Sequence, residues 1–576
     1  MKKIFATIVF ILTMGLVYSQ SVIDFQLFNE MNKRGNDEKI KVVILMQEQS
    51  DQKALSREAD KFSTREERRV FVVETLKRQA EASQTGLLGL LEEMKQNDLV
   101  DGIQPLWIVN AVSCYATKNA INAIAQCRGI MTIYFCEQTK WISDYESVPV
   151  QKLRNREITE NLVKVGAPQV WELGYTGEDI LIAVLDTGVS FSHVDLAGRF
   201  WDGGTEYPNH GYNFSNNNND PSDDNGHGTH VAGILCGTGA SGLQTGIAPD
   251  AKIMVLKVFY TDGTGDEPMW SAGMQFALEH GADVMNMSLG RPKPNAAQKL
   301  MMRRACENTL AAGVVAVVSA GNVRQIQSIT PVPNNITTPA DCPPPYLHDD
   351  QMVNAGGTSC VIAVGAVDHD DNLGIFSSEG PSQWTDVPEY GDYPYTAGST
   401  TEIGLIRPDI CAQGVDVKSL DYNTTDGYTL MSGTSFAAPL VTGTIALMLS
   451  KNKELTPAQI DEILEKTAVK FTEHKSNDFG SGHLDALAAV NAIDNDEIEE
   501  NDAQVQTFVY PNPSSGSFTV RCDDMRQIEV FSADGRLVQN IRTENDIHQI
   551  KNLENGIYLL QITTNDSKFQ QKIVKF

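Results

Sequence analysis

Three short segments of this chain each set a reactive side chain among small neighbours. They read Val184-Leu185-Asp186-Thr187-Gly188, Asn225-Gly226-His227-Gly228-Thr229-His230-Val231-Ala232-Gly233 and Gly433-Thr434-Ser435-Phe436-Ala437-Ala438-Pro439. A serine hydroxyl is a weak nucleophile near neutral pH. It needs a base within hydrogen-bond reach, and the base needs a third group to orient it. An imidazole suits the base role because it titrates near neutrality. A carboxylate holds the imidazole tautomer and stabilises the cation that forms. Asp186, His227 and Ser435 are therefore candidates for a nucleophilic triad that works through an acyl-enzyme.

Each candidate sits at the end or the start of an expected element. Ile180 to Leu185 is an apolar run and reads as a buried parallel strand that ends at Asp186. The carboxyl ends of such strands are where open α/β sheets place ligands. His227 precedes an apolar stretch, Thr229 to Leu235, that reads as a buried helix, and Gly226 and Gly228 spare the imidazole bulky neighbours. His230 is the competing imidazole and reads as a packed structural histidine. Ser435 is expected at the start of a helix running to Ser450, with Pro439 tolerated because the first turn lacks intrahelical partners. The positive end of that helix would face Ser435. Ser432 and Thr434 read as turn and cap residues. A second strand, Val314 to Val318, closes in Ser319-Ala320-Gly321-Asn322, and a third, Asp283 to Asn286, leads into Met287-Ser288-Leu289-Gly290.

Taken together, these motifs resemble the subtilisin-like serine peptidases (subtilases), over roughly residues 160 to 495. The order Asp, His, Ser is the one known for subtilisin. The resemblance implies a mostly parallel α/β sheet with helices on both faces, and peptide-bond hydrolysis in protein or peptide substrates. It implies that Asn322 donates its side-chain amide to the oxyanion. It implies that Ser288, Leu289 and Gly290 form an edge on which an extended peptide adds as a strand. Ser319, Ala320 and Gly321 would form the opposite wall of the pocket for the residue preceding the cut bond. The chemistry requires no cofactor. The family also brings structural calcium into consideration. Asp195 matches an acidic ligand position in some members, while the asparagine-bearing calcium loop is not recognisable in Cys236 to Gly246. The loop Asn216 to Asn225, with Asp220, Asp223 and Asp224, has oxygens enough for calcium but not EF-hand spacing. It reads equally as a solvated acidic loop, so metal residues stay unassigned. The alternative function is an inactive peptidase-like scaffold, and the presence of Asp186, His227, Ser435 and Asn322 together argues against it.

The formal net charge of −28 over 576 residues gives no basic footprint for nucleic acid. Lys2 and Lys3 precede the apolar run Ile4 to Val17, so residues 1–19 read as a signal peptide cleaved before Gln20. Within residues 20–150, the stretch from about 38 to 137 looks like a small α/β unit. Strands are expected at Ile40 to Met46, Trp107 to Val112 and Met131 to Phe135, and helices at 63–97 and Lys118 to Gln126. That order resembles the ferredoxin-like inhibitory prodomain found before subtilase domains. It implies a zymogen whose own prodomain is a partner, cut within Trp141 to Arg156, a polar stretch with no clear strand. Two long loops, Val323 to Gly357 and Ser382 to Leu405, depart from a minimal subtilase. The 9 cysteines form no C-x-x-C pair or metal-like cluster, and their pairing is not readable. After an acidic linker, Asp494 to Asp502, residues 505–576 show period-two strands at Ser517 to Val520, Ile528 to Phe531, Ile557 to Ile562 and Gln571 to Phe576. A hairpin turn is expected at Asp534-Gly535, giving a small β-sandwich. Its Tyr510-Pro511-Asn512-Pro513 opening, Asn555-Gly556-Ile557-Tyr558 segment and Lys-rich end resemble the C-terminal sorting domain of type IX secretion substrates in Bacteroidota. That implies the type IX machinery as a partner, and a product released or held at the outer-membrane surface after passing the periplasm.

Overall fold

The structure is a computed structural model. It describes residues 22–143, 145–150, 157–343, 360–387, 404–493, 508–510, 517–522, 525–533, 535–543, 547–564 and 568–575. The expected signal peptide and acidic linker lie outside these residues, as do large parts of the two long loops. The chain divides into one compact unit ending at Asp494 and a smaller one containing residues 495–576.

The larger unit is built on a seven-stranded sheet in which every pairing is parallel. Its spatial order is Ile410–Gln413, Ile362–Val367, Val315–Ser319, Val284–Met287, Leu181–Asp186, Lys252–Lys257 and Gly211–Asn213. The inner strands are buried on both faces, which is why they read as unbroken apolar runs. Leu181–Asp186 and Val284–Met287 are neighbours, and Val284–Met287 also pairs with Val315–Ser319. Their carboxyl ends therefore deliver Asp186, Ser288 to Gly290, and Asn322 to one rim. The helices His227–Cys236 and Thr434–Lys451 pack against each other and against the sheet.

The N-terminal part of this unit is a four-stranded antiparallel sheet. Its strands are Ile40–Met46, Val100–Leu106, Ala111–Ala116 and Ile130–Phe135, with the third and first in the centre and the second and fourth at the edges. With the helices Arg65–Gln96 and Lys118–Ile124 this is the ferredoxin-like βαββαβ order. One expectation needs correction. The strand expected over Trp107 to Val112 begins only at Ala111: Trp107–Val109 is a 3₁₀ turn, closed by Asn110 in the left-handed conformation at φ 43, ψ 63. That turn joins two strands, the first of which, Val100–Leu106, has mixed polarity and gave no apolar signal.

The N-terminal sheet and the helices Glu267–Glu279 and Ala296–Ala311 share one core, in which Val43, Leu45, Leu76 and Tyr134 join Phe259, Trp270 and Met301. Arg65 anchors the contact. Its Nη2 donates to the carbonyls of Asp283 at 2.7 Å and Gly313 at 2.8 Å. Lys41 pairs with buried Asp266, and Trp107 Nε1 donates to Glu279 Oε1 at 2.8 Å.

The C-terminal unit contains two antiparallel sheets. One holds Phe508–Tyr510, Phe518–Arg521 and Ile547–Ile550; the other holds Leu537–Arg542, Met525–Ser532, Gly556–Thr564 and Lys568–Lys575. Along Gly556–Thr564 the alternation buries Tyr558, Leu560 and Ile562 and exposes Ile557 and Leu559. Phe518, Val520, Ile528, Val530, Leu560 and Ile562 fill its core. The expected hairpin joins Met525–Ser532 to Leu537–Arg542, which pair antiparallel; Asp534 itself lies outside the described residues. Phe508–Tyr510, Leu537–Arg542 and Ile547–Ile550 are short or polar strands that the sequence pattern did not single out.

Candidate active site

Asp186 ends its strand fully buried, and its Oδ1 accepts from Thr187 N at 2.7 Å and faces His227 Nδ1 at 2.7 Å. His227 is the first residue of its helix and is 2% exposed. The approach needs the glycine that follows. A methyl group on Gly228 would lie 2.1 Å from the Gly188 carbonyl oxygen and 3.1 Å from Asp186 Oδ1. Gly228 therefore lets one helix start lie against the end of the strand, rather than merely clearing space around the imidazole. Asp223 holds the same helix start. Its Oδ2 accepts from Thr229 N at 3.0 Å and Thr229 Oγ1 at 2.6 Å, and its Oδ1 from Gly226 N and Asn225 N at 3.0 Å. Thr187 Oγ1 donates to the same Oδ1 at 3.0 Å, linking Asp186's turn to the helix. A carboxylate at this end of a helix also opposes the helix dipole favourably.

His230 faces away from this pair. Its Nε2 lies 3.1 Å from the Val417 carbonyl and 3.3 Å from that of Thr429, and burial, with the neighbouring His227, pushes its pKa down to about 3.

Ser435 is the second residue of Thr434–Lys451 and is 7% exposed. Its Oγ donates to the Ser288 carbonyl at 3.2 Å. Phe436 packs its ring 5.3 Å from that of His227, so the serine helix and the histidine helix meet at this point. Pro439 is not in the first turn as expected but inside the helix. It has no N–H to offer the carbonyl four residues back, which is that of Ser435. Ser288 Oγ donates to that carbonyl instead, at 2.7 Å. The proline thus frees an acceptor that ties Ser435 to the strand end carrying Ser288. Thr434 is joined to the third wall: its N and Oγ1 both donate to Asn322 Oδ1 at 2.9 Å, and its Oγ1 accepts from Gly321 N at 3.2 Å. Ser319 Oγ donates to the Leu289 carbonyl at 3.1 Å. The structure thus gathers Ser288, Leu289, Gly290, Ser319, Ala320, Gly321 and Asn322 around the start of the Ser435 helix. Ser432 is engaged elsewhere, with Asp416.

The chain leading into the stretch from Trp141, expected to lack strands, crosses this site. Thr139–Lys140 pairs antiparallel with Thr264–Gly265. Trp141 then donates its N–H to Gly263 O at 3.0 Å and accepts from Gly290 N at 3.1 Å, with its ring 5.9 Å from Phe259 and 6.2 Å from Trp270. Tyr145 lays its ring 5.8 Å from that of His227 and donates its hydroxyl to the Asn225 carbonyl at 2.9 Å. Val148–Pro149 pairs with Tyr428–Met431, and Glu157–Ile158 with Leu243–Gln244. The chain therefore runs along the strand edge at Gly290 and over the histidine. Two-residue strands on a polar stretch leave no periodic signal, because they are defined by their partners.

The carboxylates considered for calcium are turned toward protein donors. Asp195 accepts from Ser241 N at 2.6 Å through Oδ1 and from Tyr428 Oη at 2.7 Å through Oδ2. Asp223 is filled as above, and Asp224 binds Lys257 Nζ at 2.7 Å and Thr261 Oγ1 at 2.8 Å. Asp220 Oδ1 accepts from Ser222. Donors of this kind compete with a cation, so the set does not fit calcium. Among the described residues no group of three or more His, Cys, Asp or Glu side chains is arranged to hold a metal.

Residues 177–482 match the family model of the subtilase family, peptidase S8. The chain belongs to the subtilase family. Residues 508–575 match the secretion system C-terminal sorting domain. Subtilisin DY of Bacillus licheniformis is 31% identical over 56% of this chain and 96% of that protein. Serine protease AprX of Bacillus subtilis is 28% identical over 66% of this chain and 79% of that protein. Bacillopeptidase F of Bacillus subtilis is 27% identical over 77% of this chain, which spans only 30% of that protein. This subtilase is therefore a serine peptidase of the subtilisin type with a sorting tail, directed to the cell surface or beyond it. Among the described residues no helix is long and apolar enough to cross a membrane.

Proposed function

We propose that the chain is a secreted serine endopeptidase made as a zymogen, with Asp186, His227 and Ser435 as its triad. The observation that carries this reading is the 2.7 Å contact of His227 Nδ1 with Asp186 Oδ1, at a rim where Ser435 opens a helix. With Nδ1 engaged, Nε2 is the nitrogen left to take a proton. Ser435 Oγ leaves the Ser288 carbonyl by rotation about χ1 and gives that proton to His227 as it attacks. The substrate carbonyl becomes an oxyanion, met by the Ser435 N–H and Asn322 Nδ2. His227 then protonates the leaving amine, and water resolves the acyl-enzyme by the same steps in reverse order. Substrates are protein or peptide chains that add as a strand along Ser288 to Gly290.

The N-terminal α+β unit, residues 20–150, acts as the inhibitory prodomain. Its last residues pair beside Gly290 and cover His227 with Tyr145, which is where a substrate would lie. Activity requires its removal. The sorting tail addresses the protein to the type IX machinery.

The test is labelling of the secreted protein by a fluorophosphonate probe, with N-terminal sequencing of the labelled form. Labelling of a form that has lost the N-terminal unit, abolished in a folded Ser435→Ala protein, is the expected result. Undiminished labelling or peptide hydrolysis by Ser435→Ala removes Ser435 from the site. An active form that still begins at Gln20 removes the zymogen reading.

A further inference from the structure

The two walls beside Ser435 are closed by a residue from a third segment. Thr337 donates its N–H to the Ala320 carbonyl at 3.0 Å, and its neighbour Thr338 exchanges two backbone hydrogen bonds with Arg291, at 2.8 and 3.1 Å. Thr337 is thereby fastened to the Ser319–Gly321 wall, and through Thr338 to the Ser288–Gly290 wall. Its side chain projects into the gap between the two glycines. A methyl group on Gly290 would lie 2.0 Å from Thr337 Oγ1, and one on Gly321 2.8 Å from both Thr337 Oγ1 and Cγ2. Carbon atoms in ordinary contact sit about 3.5–4.0 Å apart. The gap that the glycines open is thus already filled, and Thr337 is only 5% exposed. It cannot move aside easily. A β-branched side chain has few χ1 choices, the backbone is held from both sides, and Thr337 Oγ1 donates to the Ala320 carbonyl at 3.3 Å.

We propose that Thr337 is a specificity-determining residue that fills the floor of the pocket between Gly290 and Gly321, so that this peptidase cuts after glycine, alanine or serine and discriminates against large side chains. The proposal rests on the serine-peptidase reading, because that reading places the residue preceding the cut bond between these walls. The walls converge on Ser435: Ser288 bonds its carbonyl and Gly321 bonds Thr434. A side chain entering from there meets Thr337 after little more than a methyl group. One misfitting methylene shifts kcat/KM by about 10–200-fold, and a benzyl group adds several. The expected preference for alanine over phenylalanine is therefore roughly 100-fold or more.

The experiment uses the matured, secreted protein and peptide anilides that differ only in the residue before the scissile bond: glycine, alanine, serine, leucine and phenylalanine. Fluorophosphonate labelling counts active sites first. Failure of the wild type to label overturns the serine-peptidase reading, and specificity is then not at issue. Given labelling, kcat/KM should fall steeply from alanine to phenylalanine. In Thr337→Gly, normalised to labelled sites, the ratio should move at least tenfold toward phenylalanine, and in Thr337→Ser by less. A wild type that cuts after phenylalanine as readily as after alanine overturns the proposal. So does a labelled Thr337→Gly protein with the wild-type ratio. If Thr337→Gly does not accumulate, the wild-type series and Thr337→Ser decide it.

Discussion

Replacing Asn322 by alanine should lower kcat by a factor of about 100–1000, and the structure shows why the amide is aimed to matter. Thr434 N is only a donor, and it meets Asn322 Oδ1 at 2.9 Å, as does Thr434 Oγ1. The oxygen end of the amide must therefore face Thr434. Nδ2 is left on the side of Gly433, 3.3 Å from where a methyl group on that glycine would sit. An oxyanion forming beside Ser435 would accept from it. Losing one such donor costs about 2.7–4 kcal/mol of transition-state stabilisation, the cost found in subtilisin. KM should stay within about threefold, because the charge appears only as the bond is attacked. Thr434→Val removes the hydroxyl that helps fix the amide. At about 1 kcal/mol for a neutral hydrogen bond, kcat should fall roughly fivefold. The assay is steady-state hydrolysis of a peptide anilide by enzyme titrated with a fluorophosphonate, with circular dichroism to check folding. An Asn322→Ala enzyme whose kcat stays within tenfold of wild type, or whose loss appears in KM alone, would refute the reasoning.

Four further outcomes are expected, the stability tests being made in a Ser435→Ala background to prevent self-digestion. Tyr428→Phe removes the hydroxyl that donates to Asp195 Oδ2 and accepts from Leu243 N, and should cost about 1–3 kcal/mol, read as a lower melting temperature; a chelator should leave the parent's melting temperature unchanged, and a fall of several degrees would show that a bound cation stabilises the fold. Burial keeps the pKa of His230 at about 3, against about 6.5 in the unfolded chain, so the unfolded chain binds a proton that the folded one does not between those values. Its contribution to stability is intact above pH 6.5 and is lost as pH falls toward 3; Asp341, raised to about 6 by burial, works in the opposite direction, so the contrast to measure by denaturant unfolding is with His230→Gln, which should lose less stability from pH 7 to 4 than the parent. An equal loss would contradict this. Deleting residues 505–576 should trap a labelling-competent protein in the periplasm, and cell fractionation showing normal surface delivery would refute the sorting role.

Much of this protein was legible because its signals are local. Ile180 to Leu185 and Val314 to Val318 announce buried strands by unbroken apolarity, and turn residues close them at Asp186 and Asn322. The alternation in Gly556–Thr564 specified a half-buried strand by itself. Where local pattern was weak, the reading faltered: Val100–Leu106 gave no apolar run, and Trp107–Val109 looked like a strand because it is apolar, although it packs as a turn against the helix Glu267–Glu279.

The residue types that could do acyl-transfer chemistry, their order, and the strand ends and helix starts that carry them were thus determined by the sequence alone. Tertiary structure decided how they are held and what surrounds them. It set Asp223 to fasten the His227 helix, gave Ser435's freed carbonyl to Ser288, and turned Asp195 toward Tyr428. It laid Thr139 to Ser143 and Tyr145 to Pro149 across the site and put Thr337 between two glycines. Each of these contacts joins segments distant along the chain, except for the short link from Asp223 to its helix. No periodicity records such pairings, because they exist only once the parallel sheet has brought its strand ends to one rim.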